Sequence, residues 1–112
     1  MALSIELLHT RDCHGYQKTM SELEGALEEA GLPVRFEVIL VNSQKMAVEH
    51  KFFGSPTIRV NDVDIEPEAA SVEKYGLSSC RPYFWKDKFY DYPPKDMILA
   101  AIKKQLETRA GN

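Results

Sequence analysis

Two cysteines, Cys13 and Cys80, are the residues of this chain best suited to do chemistry. Cys13 follows an apolar run, Leu3-Ser4-Ile5-Glu6-Leu7-Leu8, and stands just before an amphipathic stretch starting at Tyr16. A strand that delivers a cysteine to a helix N-terminus sets the thiol where backbone N–H groups and the helix dipole favour the nucleophilic thiolate. Arg11 and His14 would add to this if they face the sulfur, and Asp12 would oppose it. Cys80 is followed by Arg81, a cation able to stabilise a thiolate or hold an anionic substrate group. Between the cysteines lies Gly54-Ser55-Pro56-Thr57-Ile58-Arg59-Val60. Its Ser-Pro bond, directly ahead of a strand, is a place where a cis peptide could set backbone beside the thiol.

Dithiol exchange within one loop needs Cys-x-x-Cys, because a second thiol must resolve the mixed disulfide made by the first. Here the motif reads Cys13-His14-Gly15-Tyr16, so Tyr16 fills the resolving position. Either Cys13 works alone, or Cys80 resolves it from a distance, or Cys13 is an inert small residue. The resolving alternative requires Cα atoms within about 7 Å. The expectation is that residues 76–83 fold back on the Cys13 loop and bring Cys80 or Arg81 to the edge that holds Pro56. His9, Cys13 and His14 lack zinc-site spacing, so neither a metal nor another cofactor is expected.

The elements that must position these residues follow from periodicity. Residues 3–8 alternate apolar and polar as a strand does. Tyr16, Met20, Leu23, Leu27 and Ala30 define one helical face over residues 16–30, with Asp12 as its cap and Gly31 and Pro33 as its stop. Residues 34–41 read as a strand with Val34, Phe36, Val38 and Leu40 on one face, and residues 43–53 as a short helix. Strands at 57–60 and 63–65 flank Asn61-Asp62, a two-residue hairpin turn. Residues 66–92 are irregular and long for a connection. Residues 95–106 form a last helix, and the tail from Glu107 frays. The expectation is one domain with an irregular insertion at about 66–92.

Composition bounds the partners. A hydrophobic content of 44% and a charged content of 28% in 112 residues fit a globular domain with a core of its own. The net charge of −3 disfavours nucleic acid, although Tyr83, Phe84, Trp85, Phe89, Tyr90 and Tyr92 interleave with Lys86 and Lys88. Those aromatics read more simply as a cluster sealing the insertion, or as a homodimer contact. With no signal-peptide pattern, no apolar span and only two cysteines, the expected setting is a reducing cytoplasm without membrane contact.

The element order β-α-β-α-β-β-α, with a cysteine between the first strand and helix, resembles the thioredoxin fold. In detail the chain resembles small thioredoxin-like proteins described as alkylmercury-lyase-like. That likeness is carried by Gly54-Ser55-Pro56-Thr57-Ile58-Arg59-Val60-Asn61, Asp64-Ile65-Glu66-Pro67 and Gly76-Leu77-Ser78-Ser79-Cys80-Arg81-Pro82-Tyr83. It implies an α/β sandwich with a mixed four-stranded sheet flanked by helices, and a cis Pro56 facing the thiol. It further implies a thiol-dependent redox or thiol-transfer role on a protein or small-molecule thiol or disulfide. Cys13 and Cys80 would be catalytic, with Tyr16, Ser55, Pro56, Thr57 and Arg81 contacting substrate. The alternative is a non-catalytic binding or dimerisation module on the same fold. Organomercurial cleavage would need a proton donor as well, for which Asp12 and Asp64 are nominees.

Overall fold

The computed structural model describes residues 3–13, 15–77 and 80–110, so expectations for His14, Ser78 and Ser79 lie outside the described residues. Four strands form one sheet: β1 (Ile5–His9), β2 (Glu37–Leu40), β3 (Thr57–Val60) and β4 (Val63–Asp64), in the order β2-β1-β3-β4. β1 runs parallel to β2 and antiparallel to β3, and β3 and β4 make an antiparallel hairpin. The parallel pair needs a crossover, which α1 (Tyr16–Glu29) supplies. The sheet is thus mixed, four-stranded and flanked by helices.

The alternation of β1 divides the core. Leu7 faces one side with Leu23, Ala26 and Leu27 of α1, Ile58 of β3 and Ile98 and Ile102 of α3 (Lys95–Ala110). Leu8 faces the other with Val41, Phe52 and Ala47 of α2 (Gln44–Glu49). α1 and α3 therefore lie together on one face and α2 on the opposite one. Full burial of each such Leu, Ile or Phe is worth about 1.5–3 kcal/mol, which makes these two clusters the principal source of stability.

Both early helices end in the same way. After α1 the amides of Gly31 and Leu32 bond to Glu28 and Leu27, with Gly31 at φ +72°. After α2, which Ser43 caps by accepting from the Met46 amide, Lys51 and Phe52 bond to Val48 and Ala47, with Lys51 at φ +53°. This left-handed C-terminal turn satisfies the last carbonyls and drives the following apolar residue inward. For α2 it ends the helix at Glu49, short of the expected reach to residue 53, and places Phe52 in the second cluster.

Other expectations are corrected. β2 spans only Glu37–Leu40, and Val34 and Val38 are 44% and 40% exposed. β2 is an edge strand, and the Arg35 amide bonds back to the Pro33 carbonyl, turning the chain before extended pairing begins. Residues 66–92 are not irregular throughout: they hold a 3-10 turn (Pro67–Ser71) and a hairpin of β5 (Tyr83–Trp85) and β6 (Lys88–Tyr90). The helical run also continues through Glu107 to Ala110 instead of fraying there.

Candidate functional site

The C-terminal end of β1 is where the chemistry-bearing segments meet. Beyond His9, the Cys13 amide bonds to the Thr10 carbonyl at 3.3 Å and closes a turn. Asp12 does not cap α1: the N-cap is Gly15, with no side-chain cap. Cys13 therefore lies two residues ahead of the N-cap, outside the first helical turn. Gly15 has a steric reason to be glycine, since a Cβ there would sit 2.8 Å from the Asp91 carbonyl oxygen. The segment following β6 thus rests on the start of α1.

The second wall comes from residues 54–57. The Ser55–Pro56 bond is cis, and the Ser55 hydroxyl accepts from the Thr10 amide at 3.1 Å. Ser55 also forms a lone parallel bridge with Cys80, and its carbonyl accepts the Arg81 amide at 3.0 Å. The Cys80 segment therefore does fold back to the edge that carries Pro56. A cavity of about 810 Å³ opens between these segments, with Thr10, Cys13, Ser55, Cys80, Pro82 and Asp91 in its wall. Both thiols are free, Cys13 half-buried and Cys80 exposed.

The nominated substrate contacts take the following places. Tyr16 stacks on His9, ring centroids 3.9 Å apart, and does not line the cavity. Pro56 turns its carbonyl to the Tyr83 hydroxyl. Thr57 is fully buried, donating to the Gly54 carbonyl and accepting from Arg81. Arg81 reaches the cavity wall, but its guanidinium spends all five N–H donors internally. Nη1 and Nη2 bond Asp64 at 2.8 and 2.6 Å, Nη2 and Nε bond Glu66 at 2.7 and 3.2 Å, and Nη1 bonds Thr57 at 3.0 Å. Its Cζ lies over the Phe53 and Tyr83 rings, 4.5 and 4.7 Å from their centroids. Ser55 and Arg81 line the cavity, whereas Tyr16, Pro56 and Thr57 are not among its wall residues.

The electrostatics follow from this packing. Burial opposes the Arg81 charge, but the Asp64 hydrogen bond, with further help from Glu66, holds it above the ordinary arginine value. Burial pushes the Tyr83 phenol well above the ordinary tyrosine value; Arg81 pulls it partly back, and Asp64, Glu66 and Cys13 push it up again.

Sequence reasoning missed Asp64, Glu66 and Tyr83 as the supports of the Cys80 segment, and Thr10 and Asp91 as cavity wall. Asp64 and Glu66 flank Ile65 within the quoted motifs, yet their pairing with a residue 15–17 positions away has no local signature. Among the described residues no cluster of three or more His, Cys, Asp or Glu is arranged to hold a metal ion. Among them, too, no helix is long and apolar enough to cross a membrane.

These features define an α/β protein in which two cysteines share one cavity at the end of the sheet where β1 finishes. Residues 11–102 match the family described as "Domain of unknown function (DUF2703)", and the chain belongs to that family. No curated protein and no solved structure matches it.

Proposed function

We propose that this chain is a thioredoxin-like protein that carries out thiol–disulfide exchange with Cys13 and Cys80 as its reactive pair. The carrying observation is that both thiols line one cavity, with Cys80 bridged to Ser55 in the same wall. The strand order β2-β1-β3-β4, with α1 and α3 on one face and α2 on the other, supports the thioredoxin-like reading. The substrate is a protein or small-molecule disulfide, and the setting a reducing cytoplasm.

One thiolate attacks a substrate sulfur, the S–S bond breaks, and the first substrate thiolate leaves and takes up a proton. The second cysteine, as thiolate, attacks the protein sulfur of the mixed disulfide. The second substrate thiol leaves, and a Cys13–Cys80 disulfide remains. Two electrons pass from the protein to the substrate, and a pair of external thiols reverses the process.

Titration with glutathione disulfide tests this. The expected product is a monomer lighter by two hydrogens, with one peptide linking residues 13 and 80 by mass spectrometry. Two stable glutathione adducts without that link would refute the pair. The exposed, mutually packed Phe84 and Phe89 favour a second reading, a binding module, which would then take the lead.

A further inference from the structure

Accessibility separates the two thiols, and this orders the steps of exchange. The geometry points to Cys80 as the thiol that attacks the incoming disulfide and to Cys13 as the one that resolves it. This order rests on the exchange reading and reverses the expectation from sequence, where Cys13 attacks and Cys80 resolves.

Three observations carry it. Cys80 is exposed whereas Cys13 is half-buried, and attack on a disulfide needs the nucleophile to line up with both sulfurs of the bond, which demands open access. Cys13 has also lost the feature that would favour it. It precedes the N-cap by two residues, and the Asp91 carbonyl rests against Gly15 at that end of the helix. Finally, Cys80 is anchored on its C-terminal side, where Arg81 follows it. The Arg81 amide bonds the Ser55 carbonyl, and the Arg81 side chain is locked to Asp64 and Glu66. Cys80 and Cys13 line the same cavity, so a mixed disulfide formed on Cys80 lies in the cavity that also holds Cys13.

The chemistry balances. The Cys80 thiolate bonds to one substrate sulfur, and the other leaves as thiolate. Cys13 gives its proton to water, bonds to the Cys80 sulfur and displaces the remaining substrate thiolate. The substrate disulfide is the oxidant, reduced to two thiols, and the protein dithiol is the reductant.

The test is single-turnover reaction with a nitrobenzoate disulfide, whose released thiolate absorbs visible light. Wild type should release both thiolates and end as the intramolecular disulfide. Cys13→Ser should release one at nearly the wild-type initial rate and hold the adduct on Cys80, whereas Cys80→Ser should react at least about tenfold more slowly. If Cys80→Ser matches wild type and holds its adduct on Cys13, the order is overturned while the exchange reading stands. If wild type keeps adducts on both cysteines, the exchange reading itself fails. A second measurement needs no variant: substoichiometric iodoacetamide on reduced wild type, mapped by peptide mass, should label residue 80 first, and preferential labelling of residue 13 would overturn the order.

Discussion

Replacing Arg81 by methionine keeps a long side chain but removes the charge that ties the Cys80 segment to β4. The cost follows from what is left behind. Asp64 and Glu66 have side chains only 10% and 23% exposed, and both lose their cation. Removing one partner of a buried ion pair costs about 3–5 kcal/mol. The low end applies here, because Glu66 can turn partly to water and Asp64 still accepts the Glu66 amide at 2.8 Å. An unfolding entropy of about 2.1 cal/mol/K per residue over 112 residues is near 0.24 kcal/mol/K. A loss of about 3 kcal/mol therefore lowers Tm by about 13 °C. Circular dichroism melts of Arg81→Met, Asp64→Asn and the double variant measure this, and the double should lose about 2 kcal/mol less than the sum of the singles. A single-variant drop under about 4 °C, with additive effects in the double, would show that the carboxylates rehydrate freely and that the network behaves as a surface pair.

Gly15→Ala should cost about 1–3 kcal/mol by urea titration, because the new Cβ meets backbone, the Asp91 carbonyl, at 2.8 Å. Lys51→Gly should add about 0.5–1 kcal/mol, since a left-handed backbone strains any residue with a Cβ. Tyr83 has its proton held more tightly in the folded state than in the unfolded one, so its contribution is whole below the ordinary pKa of 10.0 and is lost as pH rises beyond it. Ultraviolet titration should therefore show one of the five tyrosines resisting ionisation until the chain unfolds. Tyr83→Phe should abolish that resistance and cost about 1–2 kcal/mol for the orphaned Pro56 carbonyl.

The elements read correctly from sequence are those whose local and tertiary demands agree. β1 and α1 alternate or repeat at their own periods, and Asn61-Asp62 accepts the positive φ values of 53° and 66° that its turn requires. The β5–β6 hairpin has the same backbone at its turn, φ 50° and 66°, but on Lys86-Asp87. Lysine carries no turn signal, and three-residue strands are too short to show alternation, so the aromatics there looked like a sealing cluster without structure. β2 is shorter than its pattern for the opposite reason: the alternation starts at Val34, but the Arg35 amide turns back to the Pro33 carbonyl and the strand begins only at Glu37.

Arg81 shows why the site was harder to read than the fold. Beside Cys80 in sequence, an arginine reads as part of the chemistry. In the fold its charge is already spent on Asp64 and Glu66, and its backbone, not its guanidinium, meets Ser55. What the neighbour of a cysteine does depends on partners brought from two other elements, and no local pattern encodes them. The return of the Cys80 segment to the Pro56 edge was anticipated from the missing resolving cysteine, and the bridge to Ser55 bears that out. From sequence, Arg81 suits electrostatic help to a thiolate or capture of an anionic substrate group; in the fold its donors go to Asp64, Glu66 and Thr57, which makes its role mechanical. A guanidinium packed over two aromatic rings and bonded to two carboxyl groups anchors the backbone of Arg81, whose amide bonds Ser55 and so sets the residue before it against the cavity wall.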